Sequence, residues 1–184
     1  LGSNWYAVVA TIALGALTVA HIVYAFILTA QNRSARGNER YAVNGSSPKV
    51  EWASKNMLVL GIIVLLGILL HLFNFWYNMM FAEIVGFEGK YSPTAGYSYI
   101  VETFKNPVFV VLYIVWLCAI WYHLSHGFWS AMQTLGINGK IWFKRWKMIG
   151  LVYTTLLMLG FLIVVLAFTF GCAPSLHSAC CLIH

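Results

Sequence analysis

Four histidines, His21, His71, His123 and His126, stand within long apolar runs that contain no Asp, Glu, Lys or Arg. An ionisable side chain is costly in such surroundings, so each is a candidate for function. Proton pumps and cation carriers draw on intramembrane carboxylates, and these runs have none. A neutral imidazole, by contrast, is a good axial ligand for haem iron, and bis-histidine ligation takes one residue from each of two facing helices. A lone membrane histidine serves equally well as a hydrogen-bonding group between helices. Four of them without a carboxylate favour ligation.

The elements that must position these side chains follow from hydropathy. With 61% hydrophobic and 9% charged residues, the 184-residue chain has too few charges to coat a soluble domain. A bilayer core of about 30 Å takes roughly 20 apolar residues, and residues 5–30, 57–82, 107–133 and 148–171 each reach that length. Apolarity is continuous rather than alternating, which excludes barrel strands. The expected fold is an all-α membrane protein, one transmembrane helix bundle over residues 1–184, with residues 172–184 as a disordered tail.

The net charge of +6 is distributed by topology. Arg33, Arg36, Arg40, Lys49 and Lys55 lie between the first two runs, and Lys140, Lys144, Arg145 and Lys147 between the last two. The middle connection sets Glu83, Glu88 and Glu102 against Lys90 and Lys105. The positive-inside rule then puts the two basic connections in the cytoplasm, and no nucleic-acid partner is needed to explain the charge. Both chain ends would face outward. No cleavable signal precedes the first run, so a further transmembrane helix is expected ahead of Leu1, making five spans in all.

Local signals mark the boundaries. Ser54 is placed to cap the second span, and Asn106-Pro107 to start the third, with proline at the first helical position. Gly136, Asn138 and Gly139 end it. Asn44-Gly45 and Pro48 read as turns, residues 97–104 as a short interfacial helix, and Trp142 and Trp146 as interface anchors. Cys118 reads as a buried, inert thiol. Cys172, Cys180 and Cys181 crowd the tail with His177 and His184 in no zinc-binding spacing.

Depth pairs the histidines. His21 is nine residues from position 30 and His123 ten from position 133, so at 1.5 Å per residue they lie at the same depth to roughly 2 Å. His126 falls about 5 Å nearer the cytoplasm, and His71, fourteen residues from position 57, about 6–8 Å deeper. Two haems at different depths are expected: one held by His21 and His123, the other by His71 and a partner outside this sequence.

Several stretches carry a family resemblance. Gln31-Asn32-Arg33-Ser34-Ala35-Arg36 follows the first span, Trp52-Ala53-Ser54-Lys55-Asn56-Met57 opens the second, and His71-Leu72-Phe73-Asn74-Phe75-Trp76 lies within it. The longest runs from His123-Leu124-Ser125-His126-Gly127-Phe128-Trp129 through Ser130-Ala131-Met132-Gln133-Thr134-Leu135-Gly136. From Trp5 to about Phe170 the chain resembles the cytochrome b membrane-anchor subunit of succinate dehydrogenase and fumarate reductase, in the five-span, two-haem form of Bacteroidetes and related bacteria.

The resemblance implies a location in the bacterial inner membrane and two partners, a flavoprotein and an iron–sulfur subunit, which carry the succinate/fumarate chemistry of the tricarboxylic acid cycle. This chain would pass electrons between the clusters and a quinone, menaquinone, through two haem b groups. It implies that His21 and His123 ligate the haem nearer the clusters, and that His71 ligates the other with a histidine on the helix ahead of Leu1. Two features depart from the family: Trp121 stands where some fumarate reductases carry a glutamate implicated in proton transfer, and the Cys-rich ending is foreign to it.

A non-redox channel or transporter with pore-lining histidines is the alternative from another class. The missing carboxylates and the 123–136 stretch count against it. A thiol-redox enzyme ranks below both, since no Cys-x-x-Cys pair exists. Ser54, Asn56 and Asn74 are polar enough for a quinone site but have equally good capping or packing roles.

Overall fold

The computed structural model describes residues 4–36, 52–87, 89–137 and 139–171. Among them the regular structure is entirely helical. Four helices are long and apolar enough to cross a membrane. The first is α1 (Trp5–Arg36). The second is a composite of α3 (Met57–His71), a π-helical segment (Leu72–Phe81) and α4 (Ala82–Val85). The last two are α6 (Pro107–Thr134) and α7 (Lys140–Thr169). A single turn, α2 (Trp52–Lys55), precedes the second span, and α5 (Gly96–Lys105) lies between the second and third. The chain is an all-α, multi-pass membrane bundle whose solvent is the lipid bilayer.

The ends of the spans differ from hydropathy in an instructive way. α1 runs on to Arg36, and α7 starts at Lys140 rather than at residue 148. Apolarity stops at the hydrocarbon edge, but the backbone hydrogen-bond ladder continues as helix into the polar interface. Asn106 caps α6 as expected, its side-chain oxygen accepting from the Val108 N–H at 3.0 Å with Pro107 behind it. Gly136 ends the same helix at φ 76°, a left-handed conformation that favours glycine.

Ser54 is not a cap. It sits inside the α2 turn, and the position before α3 belongs to Asn56, whose amide donates instead to the Trp52 carbonyl at 2.9 Å. Asn44-Gly45, Pro48, Asn138, the cysteines at 172, 180 and 181, and His177 and His184 lie outside the described residues.

The packed body is built from α3, α5, α6 and α7. Its core groups Phe104, Val110, Tyr113, Leu117, Met158 and Val165. Lipid tails are as apolar as these side chains, so close approach rather than hydrophobic transfer brings the helices together. Two glycines permit it. A Cβ at Gly67 would overlap the Trp116 indole, and one at Gly150 would stand 2.7 Å from Phe128 Cδ1. Trp116 fixes the first crossing further by donating from Nε1 to the Val64 carbonyl at 3.0 Å.

α1 is different. Among the described residues it shares no extended backbone interface with another helix, and none of its most apolar stretch is buried. Cys118 corrects another expectation: it is exposed on the bundle surface, not buried. A span that is apolar on all sides does not reveal in its sequence which side meets protein and which meets lipid.

Candidate functional site

The helices bring His21 and His123 together. Their ring centroids lie 6.2 Å apart with the planes at 87°, at one end of an apolar slot of about 110 Å³. α1 supplies Thr18, Ile22 and Phe26 to this slot, and α3 supplies Leu58, Gly61 and Leu65. Gly61 faces the ligand helix, and a Cβ there would stand 3.5 Å from His123 Cε1. His123 Nδ1 is buried and has no hydrogen-bond partner among the described residues. A buried polar atom left in that state costs about 1–3 kcal/mol unless something else satisfies it.

The separation has a chemical meaning. Two imidazoles bound at about 2.0–2.1 Å to opposite sides of one metal have centroids roughly 6.3 Å apart. Among the described residues no three His, Cys, Asp or Glu side chains gather into a chelating group. A bare metal ion wants three or four protein donors. Haem brings four nitrogens of its own and asks the protein for two, so the donor count here matches haem rather than a free ion, while the slot of about 110 Å³ is smaller than the macrocycle.

His126 stands apart from this pair. It is 9% exposed and packs edge-on against Trp129 at 4.6 Å, while His123, three residues earlier, faces His21. Residues three apart share a side of a helix but not a direction, and here the two rings meet different neighbours.

His71 occupies a separate site. It follows Gly61 by ten residues on the same span, which places it about 15 Å further along the bundle axis. Counting from span ends had given 6–8 Å. The difference arises because Gly61, only four residues into α3, is level with His123: α6 extends well beyond the start of α3, so the spans do not begin at a common height. His71 lines a cavity of about 440 Å³ with Tyr113, Trp116, Met158 and Val165. Phe75, Trp116 and Tyr113 surround its ring at 5.1, 5.6 and 6.3 Å. These three rings, none of them a histidine, are its aromatic neighbours among the described residues. The ring is also open to the outside of the bundle.

The π-helical segment begins immediately after His71. π turns leave carbonyls without their usual partners and recur near functional sites. Here the Asn78 amide donates to the Phe73 and Asn74 carbonyls at 3.0 and 3.2 Å. Asn74 in turn donates to the Tyr113 hydroxyl at 3.4 Å, tying the segment to α6 beside the His71 cavity. Sequence reasoning missed this arrangement, because no residue pattern in 72–81 marks a change of helical pitch.

The short helix expected over residues 97–104 is α5 (Gly96–Lys105); what sequence reasoning missed is that it walls the cavity. Gly96, Ile100 and Phe104 of this short helix line the cavity. The spacing of Tyr97, Ile100 and Phe104, at i, i+3 and i+7, was the available signal for one apolar face. Outside that face, Lys90 pairs with Glu102, whose other oxygen accepts from the Tyr91 hydroxyl at 3.3 Å. The Tyr99 hydroxyl donates to the Tyr91 carbonyl at 2.7 Å. These contacts hold the preceding loop against α5.

Comparison with family profiles, with curated proteins and with solved structures finds no match to this chain.

Proposed function

We propose that the chain is the haem-bearing membrane-anchor subunit of a succinate:quinone oxidoreductase of the succinate dehydrogenase/fumarate reductase type, in a bacterial inner membrane. The observation that carries the haem assignment is the His21–His123 pair, 6.2 Å between ring centroids across an apolar slot. The succinate/fumarate assignment rests on the sequence resemblance of the 123–136 stretch and its companions.

In this reading His21 and His123 would hold one haem b, and His71 would help hold a second. Bound haem supplies one-electron transfer between ferric and ferrous iron. The chain's own residues do the rest. The slot residues Ile22, Phe26, Leu58 and Leu65 exclude water and lower the local dielectric, which tunes the potential. Because α1 has no other extended interface, it can move outward to admit a macrocycle larger than the slot. His71, about 15 Å away along the axis, would help hold the second group, which would extend the electron path across the bilayer. A quinone such as menaquinone would be the membrane partner, and the basic end would meet the iron–sulfur subunit, which with the flavoprotein completes the complex.

The test is a dithionite-reduced minus oxidised absorption spectrum of the full chain purified from membranes. The reading requires b-type bands, and their reduction by succinate when the partner subunits are retained. A haem-free protein would remove the electron-transfer role. Haem without any succinate response in the retained complex would remove only the family assignment.

A further inference from the structure

At the lipid-facing seam between α6 and α7 lies a second kind of cavity, a groove of about 350 Å³. α6 contributes Cys118, Trp121 and Tyr122, and α7 contributes Thr155, Leu159 and Leu162. The Trp121 Nε1–H donates to Thr155 Oγ1 at 2.9 Å, which fixes its floor. None of the histidines lines it.

The α7 side of this groove continues as a stripe toward the basic end. Lys140, Lys144, Lys147, Leu151, Thr155, Met158 and Leu162 follow one another at intervals of three or four residues, the spacing of a single helix face. The same stripe that is apolar beside the groove therefore becomes three lysines at the interface. No Asp or Glu occurs on α6 or α7. Aromatic rings frame the cations: the Lys147 ammonium lies 4.5 Å over Trp129, and the Arg145 guanidinium 5.1 Å over Trp142.

Depth completes the argument. Thr155 and Leu162 lie eight and fifteen residues beyond Lys147, about 12 and 22 Å along the axis. Half of a 40–45 Å bilayer is roughly 20–22 Å. A molecule with its anionic head at the lysines would have its hydrocarbon chain in the groove. We infer that the α6–α7 seam is a binding site for an anionic phospholipid, its phosphate held at Lys140, Lys144 and Lys147 and one acyl chain lying along Thr155, Leu159 and Leu162. An isoprenoid tail would need the groove but not the lysines. An acidic protein surface would need the lysines but not the groove. Only a lipid with a charged head uses both. The site is independent of the haem assignment.

Native mass spectrometry of the detergent-purified full chain, incubated with equal amounts of dioleoyl phosphatidylglycerol and dioleoyl phosphatidylcholine, tests it. The wild type is expected to retain phosphatidylglycerol several-fold more strongly. Each of Lys140→Gln and Lys144→Gln should weaken that retention about fivefold, and Lys144→Arg should preserve it. Leu159→Trp, which fills the groove at an exposed position, should lower retention with all lysines in place. Lys90→Gln, at the other end of the bundle, should leave it unchanged, and circular dichroism should find every variant equally helical. Equal retention of the two lipids would overturn the inference. So would indifference to the lysine variants, indifference to Leu159→Trp, or displacement of phosphatidylglycerol by an equimolar polyprenyl quinone.

Discussion

At the basic end of the bundle, His21 and His123 face each other across a slot whose outer wall, α1, shares no extended interface with the other helices. About 15 Å along the axis, His71 sits beside a larger cavity walled by α5, α6 and α7, which borders the buried core of the bundle. One site has both imidazoles and little packing around them. The other borders the buried core and has a single imidazole. Under the proposed function, the first site would draw its order from the group it holds, whereas the second is bordered by side chains the bundle already packs. A membrane offers no hydrophobic force to hold a helix with so few protein contacts.

The largest effects should come from the paired site. His123→Ala and His21→Ala are each expected to remove the same share of b-type absorbance, about half if both haems are present, and to leave the His71-dependent share intact. His126→Ala should leave both. Loss of haem in the His126 variant with retention in the His123 variant would reverse the assignment of the ligand. Because α1 is otherwise unattached, His21→Ala should also make it more accessible to protease than in the wild type, which limited proteolysis with mass mapping can read.

The packed site should answer to packing. Gly67→Ala drives a methyl into the Trp116 indole, which abuts His71 at 5.6 Å. A loss of about 1–3 kcal/mol in unfolding stability is expected, measured in detergent, together with perturbation of the His71-dependent spectrum alone. Gly61→Ala, which meets His123 only at an ordinary contact distance of 3.5 Å, should cost far less. Equal costs for the two glycines would erase the distinction drawn between the sites. Trp116→Phe keeps the aromatic contact but loses the bond to the Val64 carbonyl, and about 1 kcal/mol is expected for it.

The smallest effect lies outside the bilayer. The Lys90 ammonium, through its hydrogen bond and charge, holds the Glu102 carboxyl below its usual range, and Glu102 holds Lys90 above its own. A lowered carboxyl contributes stability that is present above its unfolded value and lost as pH falls through the folded one. A raised lysine contributes stability that is present below its unfolded value and lost as pH rises through the folded one. The strap over α5 should therefore be tightest between those limits and loosen in acid and in strong base. The pair is fully exposed, so the change is small. Hydrogen exchange of residues 96–105 across pH, compared with Glu102→Gln, reads it; an identical acid response in the variant would exclude this pair as the cause.

Much of the scaffold was legible in the residues themselves. Four apolar runs of bilayer length have no stable alternative to helices, because every backbone group in lipid must be bonded within its own segment. Asn106-Pro107 wrote the start of α6 for local steric reasons, and the four histidines stood out as candidate ligands in runs without a carboxylate. The pairing of His21 with His123 was also foreshadowed by equal depth, since rise per residue is fixed whatever the neighbours are.

What only tertiary structure decided has a common cause. Helices that are apolar on every side do not record which side faces protein, so the exposure of Cys118, the isolation of α1 and the enclosure of His126 against Trp129 could not be read from composition. Nor could the 15 Å offset of His71, because the relative height of two spans is set at their crossing, here by Gly67 under Trp116, and not by where their hydrophobicity begins. The π turns after His71 belong to the same class: they are set by how that segment meets α6 through Asn74 and Tyr113. Local sequence fixes what each span is. Contact between spans fixes where its chemistry points.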